Sequence, residues 1–193
     1  MTPTAMLFID GENLLWRFEA MKKAGWVPRI EVIHEPGRFV WTARVTRLQN
    51  LEILRASYYT SQVGSDDKLR ALQADVQRLR WSVARTNTTG GMVAHVFKKP
   101  AKEQKAASVD INITIDLLRT CYHRHAQAVV LISGDGDYVP LVKEAMRTGV
   151  HVIVGALSNG LNTALTSAGD SFWDLDGFFF EKRNVAYGGD CKL

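Results

Sequence analysis

Ala128-Val129-Val130-Leu131-Ile132-Ser133-Gly134-Asp135-Gly136-Asp137-Tyr138 is the stretch that decides the fold class. Five apolar residues in a row, with no alternation, suit a strand covered on both faces, as in a parallel sheet. Ser133 to Gly136 then forms a tight turn. Asp137 stands where a helix N-cap belongs, and Pro140 falls in the first turn, where its missing N–H costs little. Gly149 ends that helix, and Val150 to Val154 reads as the next strand. Strand, acidic turn, helix and strand in this order predict parallel pairing with right-handed crossovers.

The same grammar opens the chain, where Met6-Leu7-Phe8-Ile9 runs into Asp10-Gly11-Glu12-Asn13. Leu14 to Ala24 is helix-compatible and stops at Gly25. Leu51 to Thr60 holds a strand, and Ser65-Asp66-Asp67 offers capping chemistry to a helix whose Leu69, Leu72, Val76 and Leu79 make one apolar stripe. Ser82 to Arg85 and Met92 to Phe97 read as strands around a polar turn, Thr86 to Gly91. Val109 to Asp116 alternates like a strand, but the segment runs on too long. Ile111, Ile115, Leu118 and Tyr122 also fit a helical stripe, so a helix is predicted. Ser158-Asn159 is expected to open a helix to about Ala168, and Phe172 to Leu175 is strand-like. Ile30 to Trp41, around Glu35-Pro36-Gly37, reads as a hairpin that interrupts the α/β rhythm. The expected organisation is one domain over residues 1–182, with a hairpin insertion around 26–50 and a flexible tail at 183–193.

Composition narrows the class. With 193 residues, 46% hydrophobic and 23% charged, the chain has an ordinary globular mixture, which excludes wholesale disorder. Its apolar runs are far too short for a membrane span. No cationic flank precedes the first of them, so no signal peptide is expected. Cys121 and Cys191 have no paired spacing, which argues against a disulfide scaffold or zinc knuckle and for a reducing cytoplasm. The net charge of +4 permits a polyanionic partner. Its distribution says more: Arg85, Lys98, Lys99, Lys102 and Lys105 cluster against one acid, Glu103, whereas Asp110, Asp116, Asp135 and Asp137 gather in the following stretch. An acidic pocket beside a basic rim is a charge plan for holding cations against phosphates.

In an open parallel sheet, ligands collect beyond the carboxyl ends of the strands. Two of the strongest strands end in acids, at Asp10 and at Asp135 with Asp137, and Asp110 at the start of its helix reaches the same edge. Carboxylates so crowded would carry raised pKa values unless a cation neutralised them. Mg²⁺ or Mn²⁺ suits oxygen donors and can activate water for in-line phosphoryl chemistry, with one or two ions. Each residue also has a plainer reading. Asp10 can be a turn former, Asp137 a cap, Asn13 a cap or a water-orienting amide, and Ser133 a structural hydroxyl. Asp116 points elsewhere on the helix and suits a solvated or supporting role. Lys98, Lys99 and Lys105 are read as phosphate-backbone contacts, against a merely solvated loop. Trp16, Trp26, Trp41, Trp81 and Tyr58-Tyr59 are aromatic surfaces for stacked bases or, for most of them, packing. Gly134-Asp135-Gly136 lacks the third glycine of a dinucleotide fingerprint, and there is no P-loop lysine and no calcium loop.

Taken together, Leu7-Phe8-Ile9-Asp10-Gly11-Glu12-Asn13, Val109-Asp110-Ile111 with Asp116-Leu117-Leu118, and Leu131 through Tyr138 to Pro140-Leu141-Val142 resemble the NYN domain, also called LabA-like. The match continues through Gly149-Val150 and Leu161 to Phe172, spanning about residues 5 to 176, and Ser-Gly-Asp-Gly-Asp-Tyr is its most specific piece. The resemblance implies a PIN-like nuclease with a Rossmann-like α/β/α sandwich and a mainly parallel central sheet. It also implies an acidic metal site of Asp10, Asp110, Asp135 and Asp137, supported by Asn13 and Ser133. Two differences stand out: Ala107-Ser108 replace the family's usual lysine before the helix aspartate, and Gly25 to Asn50 is longer than the usual connection.

The resulting expectation is an Mg²⁺- or Mn²⁺-dependent endoribonuclease acting on single-stranded RNA or exposed loops, with no membrane role. A non-catalytic RNA-binding or regulatory module that keeps the acids for a structural cation is the rival reading. A phosphomonoester hydrolase is disfavoured because Glu12 stands two residues after Asp10. The inserted hairpin leaves two options, a homo-oligomer contact or a cover over the core.

Overall fold

The computed structural model describes residues 2–47, 50–99 and 107–181. The flexible tail expected at 183–193 and the Lys102 and Lys105 positions lie outside the described residues. In chain order the elements are β1 (Thr4–Asp10), α1 (Gly11–Lys23), β2 (Ile33–Glu35), β3 (Phe39–Trp41), α2 (Arg44–Arg47), β4 (Glu52–Gln62), α3 (Asp66–Arg78), β5 (Arg80–Val83) and β6 (Thr88–Gly91). They continue as β7 (Val93–Lys98), α4 (Ala107–Tyr122), β8 (Ala128–Ile132), α5 (Val139–Arg147), β9 (His151–Ala156), α6 (Thr163–Thr166), β10 (Ser171–Asp174) and α7 (Asp176–Phe179).

Six strands make the central sheet, in the order β10-β9-β8-β1-β4-β7, and every neighbouring pair is parallel. From β1 the chain builds outward through β4 to β7, then returns across β1 to build β8, β9 and β10 on the other side. The order therefore reverses between β1 and β8, and such a reversal leaves a crevice beyond the carboxyl ends of the strands. β2 with β3 and β5 with β6 form two separate antiparallel hairpins. The first of these is the hairpin expected around Glu35-Pro36-Gly37.

The continuous apolar runs explain the two-layer covering, because alternate residues of each strand feed opposite faces. On one face Ala5, Leu7, Ile9, Ala128, Val130 and Ile132 pack with Leu14, Phe18 and Met21 of α1, Leu72 and Val76 of α3, and Phe179 of α7. Met6, Phe8, Val129 and Leu131 face the other way, against Val109, Ile113 and Leu117 of α4 and Leu141, Val142 and Ala145 of α5. The result is the α/β/α sandwich expected of a PIN-like fold.

Several local expectations are corrected. α4 is a helix, but its buried stripe is Val109, Ile113, Leu117 and Cys121, while Ile111, Ile115 and Tyr122 are exposed. Both stripes have nearly the same helical spacing, and only docking on the sheet decides between them. Thr86 to Gly91 is not all turn: Thr88–Gly91 is β6, with Gly90 lying against the Trp81 ring. Ser65 is the N-cap of α3 without a side-chain capping bond. Asp135, not Asp137, caps the 3₁₀ turn Gly136–Tyr138, and α5 begins only at Val139. The helix expected from Ser158 is a single turn, α6, capped by Asn162 through Ala164 N–H at 2.9 Å.

The α4 register is directly testable. Ile113→Ala removes a fully buried side chain and should cost about 2–5 kcal/mol in denaturant unfolding. Ile111→Ser should stay within about 0.5 kcal/mol of wild type. The reverse ranking would place the other stripe on the sheet.

Candidate active site

Asp10 is the last residue of the central strand and the N-cap of α1. Its Oδ1 accepts the Asn13 N–H at 3.0 Å, and its Oδ2 accepts the Ser133 hydroxyl at 3.1 Å. These two bonds tie the β1–α1 turn to the end of β8. Asn13 adds a third tie, its side-chain Oδ1 accepting the Gly134 N–H at 3.0 Å. Gly11 follows Asp10 because a Cβ there would run into the Tyr58 ring. Asn13 is thus not the cap, which is Asp10; its backbone N–H is the donor that Asp10 caps, and its side-chain oxygen bridges the two strand-end turns.

A cavity of about 760 Å³ opens over this point, and Asp10, Asp110 and Asp135 all line it. The Asp135 Oδ1 accepts the Asp137 N–H at 3.0 Å, and the Asp135 N–H donates to the Ser133 hydroxyl at 3.2 Å. Asp110, in the first turn of α4, accepts the Tyr138 hydroxyl at 2.9 Å. Asp137 is solvent-exposed on the 3₁₀ turn and lies outside the cavity lining. Asp116 also faces away, accepting the Tyr59 hydroxyl at 2.9 Å.

The basic rim is present but differently built. Lys99 lines the cavity and pairs with Glu12 at 2.9 Å; Glu12 also accepts the Ser61 hydroxyl. Lys98 turns aside to Asp66, at 2.9 Å on the surface. Lys105 lies outside the described residues. In place of a lysine run, Arg17 of α1 and Arg38 at the tip of the β2–β3 hairpin supply cations to the cavity wall. The hairpin tip is held by Gly37 N–H donating to Glu19 at 2.8 Å and by the Arg38–Asp75 pair at 2.8 Å. The β2–β3 hairpin thus forms a wall of the cavity.

Glu12, Ser61, Arg17 and Arg38, and the contact of Tyr138 with Asp110, were not anticipated from sequence. Tyr138 had a signal, standing one residue after the acidic turn. Glu12 had one too, in its place two residues beyond Asp10. Arg38 had none, since its approach depends on how the hairpin folds back.

Burial dominates the electrostatics of Asp10, whose carboxyl is pushed up to about 7, with the Asp110 and Glu12 charges adding to the effect and the Asn13 and Ser133 bonds opposing it. Tyr138 is driven well above the usual phenol range, chiefly by burial and then by Asp10 and Asp110, so its hydroxyl stays a donor. Among the described residues, no three His, Cys, Asp or Glu side chains form a preassembled metal cage. The donor chemistry nevertheless fits a hard cation: a buried carboxylate whose ionisation is resisted shares a cavity with two further carboxylates, and positive charge there would relieve both costs.

A raised carboxyl pKa means that the folded state binds more protons than the unfolded chain between about pH 4 and about pH 7. Stability should therefore fall as pH rises through that window. Asp10→Asn keeps the shape and removes the charge, so its melting temperature should not decline with the wild-type slope. Parallel melting-temperature profiles for the two proteins would contradict this assignment.

Comparisons with known proteins agree with this architecture. The chain is 26% identical over 178 residues to the low amplitude and bright protein LabA of Synechococcus elongatus, covering 91% of this chain and 87% of that one. The crystal structure of VPA0982 from Vibrio parahaemolyticus, a protein of unknown function, superposes with a TM-score of 0.57 at 18% identity. That likeness covers 93% of this chain and 97% of the other and bears on the fold alone. No helix among the described residues is long and apolar enough to cross a membrane. The NYN domain profile matches residues 4–176, from the first residue of β1 to the start of α7, and the chain belongs to the NYN domain family, whose members are generally nucleases.

Proposed function

We propose that this protein is an Mg²⁺- or Mn²⁺-dependent endoribonuclease that hydrolyses phosphodiester bonds of single-stranded RNA. The observation that carries the reading is the meeting of Asp10, Asp110 and Asp135 in one cavity at the point where the strand order reverses. These three residues lie far apart in sequence, and three acids sharing a crevice disfavour one another without a cation.

Asp10, Asp110 and Asp135 are the residues that would hold the ion. A divalent ion supplies Lewis-acid stabilisation of phosphoryl charge and lowers the pKa of water. The chain does the rest. Ser133 and the Asn13 N–H fix both oxygens of Asp10, and Tyr138 fixes one oxygen of Asp110, so two carboxylates are oriented before substrate arrives. Arg17, Arg38 and Lys99 line the same cavity as cations for the RNA backbone, while Asp137, exposed on the turn just after Asp135, would orient the attacking water. The cavity opens to solvent on a side walled by the hairpin tip, which suits a flexible single strand better than a rigid duplex.

Labelled single-stranded RNA incubated with manganese should be cut by wild type and not in chelator. Asp135→Asn should cut at least about 100-fold more slowly, the scale of losing one electrostatic stabiliser in a catalytic site. Equal cleavage by the two proteins, or by wild type in chelator, would remove the metal-site mechanism. Tight binding of RNA without cutting would favour the non-catalytic binding module instead. Tyr138→Phe keeps the buried ring and removes the hydroxyl bond to Asp110. It should raise the manganese concentration needed for half-maximal activity by about 10- to 100-fold, as losses of ligand-orienting partners do. An unchanged manganese dependence would deny Tyr138 that positioning role.

A further inference from the structure

Trp16 is 71% exposed, and among the described tryptophans it alone ranks with the exposed large hydrophobic residues; Trp41 and Trp81 are buried. It stands on α1 in the wall of the same cavity that Asp10, Asp110 and Asp135 line. Its neighbour Arg17 places its guanidinium carbon 5.6 Å from the Trp16 ring centroid. The same guanidinium lies against Gly160, which takes φ +62 and has no room for a Cβ beside Arg17. The Arg17 Nε is buried without a hydrogen-bond partner in the structure. A desolvated, unpaired donor on a fixed cation is costly unless an anion meets it. The indole beside it stays 71% exposed although Arg17 lies near its ring, which leaves flat aromatic surface open at the cavity wall.

We propose that Trp16 and Arg17 form a nucleotide subsite, in which the Trp16 ring stacks a base of a single-stranded RNA and Arg17 holds the phosphate of that nucleotide. The inference rests on the ribonuclease reading for its choice of polyanion, and it adds the substrate element that the acids alone do not specify. Trp16 lies about 9 Å along α1 from Asp10, by helical rise, so the stacked base belongs to a nucleotide near the cleaved bond and not to the reacting phosphate itself. Stacking on one aromatic ring tolerates any base, which predicts affinity for unpaired RNA with weak sequence preference. Arg17, being planar, can face the indole with its plane and a phosphate with its edge.

The test separates binding from cutting. The 193-residue chain is titrated into labelled single-stranded oligoadenylate in chelator, with anisotropy and intrinsic tryptophan fluorescence read together. Wild type should bind with quenching. Trp16→Ala should bind roughly 5- to 150-fold more weakly, the equivalent of one lost stack. Trp16→Phe should keep most of the affinity and lose most of the quenching, and Arg17→Ala should flatten the slope of log affinity against log salt by about 0.7. Unchanged affinity in Trp16→Ala, while wild type still binds and cuts RNA with manganese, would overturn this subsite and leave the ribonuclease reading standing. No RNA binding by wild type would overturn both. If Trp16→Ala instead converts a dimer to a monomer in sedimentation with RNA affinity intact, the indole belongs to a contact between copies and the proposal fails.

Discussion

Asp10 ends the strand at the middle of the sheet with 3% of its surface exposed. A carboxylate in that position is expensive, since burial penalises its charged form and Asp110 and Glu12 repel it. It is kept there by bonds that also organise everything around it. One oxygen starts α1, the other ties the turn after β8, and Asn13 closes the loop by accepting from Gly134. Replacing the acid by an apolar residue would leave the Asn13 N–H and the Ser133 hydroxyl without their acceptor. The geometry of the crevice and the chemistry of its floor are therefore set by one residue.

The rest of the molecule serves this arrangement by being unyielding. Strands apolar on both faces must be covered on both faces, and α1 and α3 on one side and α4 and α5 on the other do so. Covering from both sides leaves only the ends of the strands accessible. The reversal of strand order between β1 and β8 opens one of those ends, so the acids stand where a ligand can enter. Tyr138 shows the economy of the design. Its ring belongs to the core beneath α4 and α5, while its hydroxyl reaches Asp110.

The β2–β3 hairpin shapes the cavity wall. Its tip is anchored to α1 by Glu19 and to α3 by Asp75, and it brings Arg38 to the cavity. Cations from three separate segments, Arg17, Arg38 and Lys99, thereby surround an acidic floor, and Lys99 is partly occupied by Glu12. The same wall also carries Glu12 and Glu19, each engaged by a neighbour, so cations and carboxylates are mixed along it.

Much of this could be read from the chain because it depends on local pattern. Unbroken apolar runs ending in acid-glycine turns specify the parallel sheet, and the strand-end rule places Asp10 and Asp135 at one edge of it. Spacing alone was blind to rotation about a helix axis. Ile111, Ile115, Leu118 and Tyr122 form as good a stripe as Val109, Ile113, Leu117 and Cys121, and only packing on β1 and β8 buries the second. Lys98 and Lys99 are equivalent as sequence, yet neighbouring strand-end residues diverge, so one pairs with Asp66 on the surface and the other with Glu12 in the cavity. Sequence by itself determined which chemistry the strand ends carry. Tertiary structure decided which side chains share the cavity, because that depends on how α1, the hairpin and the sheet meet, and those contacts join residues that no local period connects.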